Sequence, residues 1–236
     1  MEAMDEFHYR RPMYGARRLA VHFGITRKTA ARMMRLLHIV PTYPKKRTTI
    51  PNVEHKKFPY LMRDVKPLHA NHIWSTDITY LPMAQGFMYL TAIIDWYSRR
   101  ILSWRLSNTM DVGFCVDCLA EALENFGWPM FFNTDQGSQY TSEKFQKMFA
   151  GLATKMSMDG RGRWLDNVFV ERFWWTVKYE DFFPKRYATV VELHRGMSEY
   201  MRFYNDERIH SSIANLTPTR VYDESINRPG ETFLPL

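Results

Sequence analysis

The chain has 236 residues, 45% hydrophobic and 15% aromatic, enough for one sizeable core with a small accessory domain, and this composition excludes an intrinsically disordered chain. Its net charge of +7 is unevenly placed: residues 1–60 hold thirteen Lys/Arg against four Asp/Glu, and residues 61–236 hold nineteen against twenty-one. No run of about 18 apolar residues and no signal-peptide pattern occurs, which excludes a spanning helix and makes a reducing cytoplasm the expected compartment.

A basic front on a near-neutral body suits a polyanionic partner, because neutralising phosphates releases counterions. A solvated basic linker carries the same charge. Residues 14–38 read as two short helices around a glycine turn: Arg17–Phe23, then Gly24-Ile25, then Thr26 capping Arg27–Leu37. Ala30, Met33 and Leu37 share one face, while Arg27, Lys28, Thr29 and Arg32 point elsewhere. Such a pair fits a helix-turn-helix whose second helix enters a major groove, although basic amphipathic pairs are common. Residues 41–68 contain Pro41, Pro44, Pro51, Pro59 and Pro67 with Lys45-Lys-Arg47 and Lys56-Lys57, a spacing that breaks helix and strand and predicts a linker or extended arm.

From residue 72 an α/β pattern begins. Strands are predicted at 73–82, 87–94 and 101–106, with Gly86 turning the chain and 87–94 apolar on both faces, as in a buried strand. A helix over 111–126 leads to a strand at 130–134, a helix at 142–151, a short strand near 154–158 and a helix holding Glu171. Three meandering strands followed by alternating helix and strand fit several α/β folds. Cys115 and Cys118 have Cys-x-x-Cys spacing, but a zinc site needs two more ligands and none stands nearby. One helical turn apart on the 111–126 helix, they read as packing residues. Beyond 180 the chain reads as mostly helical, most clearly over Glu192–Tyr204.

Three acids carry the chemistry. Asp77 lies in the alternating strand Trp74-Ser-Thr-Asp-Ile-Thr-Tyr80, Asp135 where the apolar run Pro129–Thr134 meets the turn Gln136-Gly-Ser-Gln139, and Glu171 thirty-six positions later on a helix. Carboxylates converging from two strands and a helix offer the oxygen ligands that hard divalent cations prefer. A pair of ions about 3.5–4 Å apart clamps both the attacking and leaving oxygens of an in-line phosphodiester displacement. Asp95 is the strongest rival acid, but Trp96-Tyr-Ser-Arg-Arg100 offers it a turn and an ion pair, and Asp159 and Asp166 precede a helix N-terminus, so all three read as structural. On the last predicted helix Asn167, Glu171, Trp174, Trp175 and Lys178 lie along one face and Phe169, Phe173 and Val177 form a separate apolar row. Taken alone, Lys178 fits a solvated lysine near a helix end.

The strings WSTDITY, NTDQGSQYTS and SMDGRGRWLDNVFVERFWWTVKYED, followed by YNDERIHSS and a Thr-Pro pair, resemble the catalytic protein of insertion-sequence transposases of the insertion sequence three family, with a retroviral-integrase core. The resemblance covers nearly the whole chain. It implies an RNase H-like DDE core over 69–180, following a helix-turn-helix DNA-binding segment (1–40) and a basic Pro-rich linker (41–68), and followed by a helical C-terminal extension (181–236). Asp77, Asp135 and Glu171 would be both the catalytic acids and the ligands of two Mg²⁺ ions, with Mn²⁺ able to substitute. Lys178, seven residues after the Glu, would contact DNA together with Arg27, Lys28 and Arg32.

The implied activity is metal-dependent cleavage and strand transfer at the ends of the element, with element ends and target DNA as partners. A homo-oligomeric synaptic complex, a frameshift fusion or small helix-turn-helix partner, and a bacterial, nucleoid-associated location go with it. Ile209 stands where the family has Pro, and the tail's role, DNA contact or packing against the core, stays open. Two other functions share parts of the pattern. A plain RNase H-type nuclease has no need of residues 14–38, and a DNA-binding regulator with an inactive core has no need of three intact acids.

Overall fold

The computed structural model describes residues 2–10, 14–41, 58–62, 65–159 and 168–228. It divides into two compact units, Met1–Ile50 and Pro51–Leu236.

The described residues of the first unit form the helices α1 (Glu2–Arg10), α2 (Ala16–Phe23) and α3 (Arg27–Leu36). Gly24 ends α2 in the left-handed region at φ 62°, a conformation that costs glycine little, and its N–H returns to the carbonyls of Ala20 and Val21. Thr26 then starts α3 by accepting from the Thr29 N–H at 3.1 Å. The expected helix pair and its cap are therefore present. The expected inward face is shifted: Ala30 and Met34 are buried, with Met33 and Leu37 only packed at the margin. The core of this unit is Met4, Leu19, Ala20, Ala30, Met34 and Ile39, so α1, which the sequence reading left out, supplies part of it.

In the second unit, β1 (Ile73–Met83), β2 (Gly86–Asp95), β3 (Ile101–Ser107), β4 (Phe131–Thr134) and β5 (Lys155–Met158) form one sheet in the order β3-β2-β1-β4-β5. β1 to β3 meander antiparallel, and β4 and β5 join parallel to β1. Parallel neighbours need a crossover, which α4 (Gly113–Phe126) provides between β3 and β4, while α5 (Glu143–Gln146) and a 3₁₀ turn at Lys147–Phe149 serve between β4 and β5. After residue 159 follow α6 (Val168–Val177), a π-helical turn at Lys178–Phe182, α7 (Phe183–Lys185), α8 (Val190–Asp206) and α9 (Pro218–Asn227). The lengths and order of the strands agree with the periodicity.

Each sheet face carries a core, as the alternation of β1 requires. Trp74, Phe132, Met156, Leu119 and Phe145 are buried on the α4 side. Ile73, Leu81, Leu90, Ile94, Val170, Phe173 and Val177 are buried on the other, together with Leu193, Met197, Tyr200 and Tyr204 of α8. Part of the region expected as a C-terminal extension is thus packed into the sheet's own core, and each fully buried Leu or Met there is worth about 1.5–3 kcal/mol. The end of the expected linker behaves alike: Met62 is buried, and Leu61 donates its N–H to Ser157 Oγ at 3.0 Å. Phe58, Tyr60, Leu61 and Met62 make this stretch a strap on the core rather than a tether. The basic runs Lys45-Lys-Arg47 and Lys56-Lys57, like Asp166 and Asn167, lie outside the described residues.

Candidate active site

The parallel register fixes where the first two acids emerge. Ile73, Trp74 and Ser75 of β1 pair with Phe131, Phe132 and Asn133 of β4. Carried two residues further, this register meets Asp77 on β1 and Asp135 just past the end of β4, on the sheet face that carries Ser75 and Asn133. Asp135 closes a turn by accepting from the Gly137 N–H at 2.8 Å. A Cβ at Gly137 would come within 2.8 Å of the Asp135 carboxylate, so a larger residue there would push that carboxylate from its place.

Helix α6 covers this spot. Its buried row, Val170, Phe173, Trp174 and Val177, fastens it to the sheet and leaves Glu171 exposed on its first turn. Trp174 donates its indole N–H to Asp77 Oδ2 at 3.0 Å. Burial, repulsion from Asp135 and, to a smaller extent, from Glu171 push the half-buried Asp77 carboxyl up to about 7, against an ordinary 3.8. The Glu171 carboxyl is also raised, by partial burial. Lys178 donates to Thr79 Oγ1 at 2.6 Å, one pleat along β1 from Asp77, and its pKa is lowered by burial against the opposing pull of Asp77. The structure therefore brings Asp77 and Asp135 together on the sheet face that α6 covers, with Glu171 on the first turn of that helix and Lys178 two turns further on, at Thr79. Among the described residues, no three His, Cys, Asp or Glu side chains are grouped closely enough to hold one ion as they stand.

The donor set nevertheless suits a hard divalent cation. All three acids offer only oxygen, and the Asp77 carboxyl is raised first by burial and then by repulsion from Asp135, both of which a bound cation would offset. Trp174 and Trp175 flank Glu171 on either side of its helix face: Trp174 turns inward to Asp77, whereas Trp175 is 59% exposed, since adjacent residues on a helix diverge by about 100°.

The rival acids have other partners. Asp95 is buried and accepts from the Ser98 N–H (2.8 Å), Ser98 Oγ (2.7 Å) and the Asn71 N–H (2.9 Å), locking the turn after β2. Asp159 is buried at the end of β5 and accepts from Asn133 Nδ2 at 2.8 Å, tying β5 to β4. Cys115 and Cys118 are free and buried, with the Cys118 thiol pushed up to about 12 by burial, as befits packing residues.

The tail motif becomes legible through its partners. Asn205 pairs with both backbone groups of Ile101 (2.9 and 2.8 Å). Arg208 grips Glu180 with two hydrogen bonds (2.8 and 2.6 Å), and Tyr200 donates to the same carboxylate at 2.9 Å. These contacts staple the tail to the π turn directly behind α6, while Ile209 is 63% exposed. In the first unit Arg27, Lys28 and Arg32 are all exposed, but the groove beside them is lined by Arg17, Arg18, Arg27 and Arg35. Sequence spacing had not grouped those four, because they converge from two helices.

The description Integrase core domain matches residues 67–163 and, in a second form, residues 152–218. The transposase for insertion sequence element IS904 of Lactococcus lactis is 31% identical over 224 residues, covering 90% of this chain and 88% of that protein. A protein of Escherichia coli named for insertion sequence element IS150 is 28% identical over 246 residues, covering 97% and 82%. The magnesium complex of the HTLV-2 integrase catalytic core domain shares the fold with a TM-score of 0.54 at 19% identity, over 66% of this chain and 99% of that one. A chain of the simian T-cell lymphotropic virus intasome does so with a TM-score of 0.61 at 21% identity, over 98% and 77%. No helix among the described residues is long and apolar enough to cross a membrane. With an RNase H-like sheet, an integrase-core match that runs to residue 218 and transposase relatives along most of its length, the chain belongs to the insertion-sequence transposases of the DDE and integrase superfamily, enzymes that transfer polynucleotide strands.

Proposed function

We propose that the protein cuts and rejoins DNA at the ends of its own insertion sequence, with Asp77, Asp135 and Glu171 as catalytic acids that hold two Mg²⁺ ions, or Mn²⁺ in their place. The observation that carries this reading is the Asp77 carboxyl, half-buried, fixed by Trp174 and raised to about 7 beside a second acid. Such a group is poised for a divalent counter-charge. When bound, the ions would supply activation of the attacking oxygen and neutralise charge on the leaving one.

The chain's own residues set the geometry. Trp174 orients Asp77, the Gly137 N–H orients Asp135, and Lys178, held at Thr79, lies where a phosphate of the bound end would need a cation. Hydrolysis frees a 3′-hydroxyl, which attacks a second phosphodiester, so no side chain need form a covalent intermediate. Arg27, Lys28 and Arg32, joined by Arg17, Arg18 and Arg35, supply phosphate and groove contacts from the first unit. A homo-oligomeric synaptic complex of element ends and target DNA belongs to the same reading, supported by the likeness to an intasome chain, as do a helix-turn-helix partner or fusion and work at the bacterial nucleoid.

The test is strand transfer of a labelled short element end in Mg²⁺. Asp77→Asn, Asp135→Asn and Glu171→Gln should each abolish cleavage and joining while DNA binding persists. Near-wild-type joining by any one of them removes that residue from the site.

A further inference from the structure

Helix α6 and the π turn carry a second feature beside the acids. Trp175, Tyr179 and Phe183 follow one another at four-residue spacing and are 59%, 57% and 43% exposed. Their rings form a ladder: Trp175 and Tyr179 are stacked at 5.0 Å and 30°, and Phe183 meets Tyr179 edge-on at 5.3 Å. The ladder is not needed to anchor the helix, since Val170, Phe173, Trp174, Val177 and Phe182 already do so from the buried side. Three adjoining exposed rings are a costly surface for a protein to keep bare.

The ladder's position and charge point to its occupant. At 3.6 residues per turn Trp175 lies about 40° round from Glu171, so the ladder continues outward from the catalytic face. Beyond Glu171 the acids along this stretch are already paired: Glu180 with Arg208, and Asp181 with Lys185 and the Tyr187 hydroxyl. Arg172 and Arg186, both exposed, have no carboxylate partner among the described residues. Past Glu171 the stretch thus offers exposed rings and exposed cations, which is the chemistry that binds unpaired nucleic acid: cations track the backbone and rings stack on bases. A duplex hides its base faces, so duplex DNA alone would leave the rings unused.

We infer that Trp175, Tyr179 and Phe183 form a stacking platform for unpaired bases of the DNA strand whose phosphate lies at Glu171. This rests on the assignment of the acids to the catalytic site. The platform holds a frayed or overhanging end against α6, and it commits the protein to DNA whose terminal bases are open.

The experiment measures binding of the full chain, without metal, to three DNAs: a blunt duplex, the same duplex with a short unpaired overhang, and the same overhang made abasic. Wild type should prefer the overhang over the other two. Trp175→Ala should lose about 5- to 150-fold affinity for the overhang, the range of one stacked base, and keep its affinity for blunt and abasic DNA. Trp175→Phe should retain most of the preference, and both variants should melt like wild type because the position is exposed. Equal losses on all three DNAs, or no loss on any, overturn the proposal. A fall in oligomer size by light scattering with the overhang preference intact would instead assign the ladder to a second copy of the chain. Asp77→Asn separates the two readings. It should abolish strand transfer yet keep the overhang preference, whereas an active Asp77→Asn would defeat the catalytic assignment whatever the ladder binds.

Discussion

Asp77→Asn should stabilise the metal-free protein while destroying its activity. The folded carboxyl is raised to about 7 from an ordinary 3.8, so folding favours its protonated form. The sign follows: stability linked to Asp77 is complete below pH 3.8, declines as pH rises toward 7, and is fully lost above it. A shift of about three units at 1.36 kcal/mol each sets a ceiling of about 4 kcal/mol. Asp77 is only half-buried, and solvent screening reduces the expectation to about 1–3 kcal/mol. Asparagine keeps an oxygen for the Trp174 N–H and removes the charge. Thermal unfolding in a chelator at about pH 8 should place the variant above wild type by about 2–4 °C per kcal/mol, and at about pH 5 the gap should shrink to less than half. Mg²⁺ should raise the wild-type midpoint and leave the variant nearly unmoved. A variant no more stable than wild type in chelator at pH 8 would mean that the carboxylate is already balanced, and the argument for a cation at Asp77 would fail.

Lys178→Ala should weaken binding of element ends and lower the slope of log affinity against log salt by about one unit; identical slopes would return Lys178 to a surface lysine held by Thr79. Deleting residues 1–57, which keeps the Phe58–Met62 strap on the core, should leave metal-dependent nicking but remove preference for element ends over scrambled DNA in a competition assay. An unchanged preference would move recognition to the second unit. His210 is held down to about 4 by burial and by Arg208, so the unfolded chain binds the extra proton first, and stability tied to His210 is present above pH 6.5 and lost as pH falls toward 4. Over that window His210→Gln should lose up to about 3 kcal/mol less than wild type, and parallel pH curves for the two proteins would refute it.

The strands were legible because their period of two reports burial directly, and Asp77 and Asp135 stood out as acids among apolar neighbours. Their mutual placement was not, since it depends on the pairing of Ser75 with Asn133, residues far apart in the chain. Helix faces were read less well where the apolar stripe was broad. In α3 the inward turn goes to Met34 instead of Met33, and in α6 two adjacent tryptophans had to be told apart by tertiary partners. The tail resisted reading for a different reason: Asn205 and Arg208 are polar residues whose meaning lies in Ile101 and Glu180, and neither periodicity nor propensity carries such pairs. Likewise Phe58–Met62 looked like linker because prolines dominate the stretch, although its apolar residues decide its place.

The staple between Arg208 and Glu180 also sets an order of events during synthesis. A ribosome delivers all three acids by residue 171, but the π turn behind the last of them gains its clamp only once residues 200 to 208 have left the exit tunnel. A chain that stops short of residue 200 therefore carries the acids without the brace behind the helix of the third.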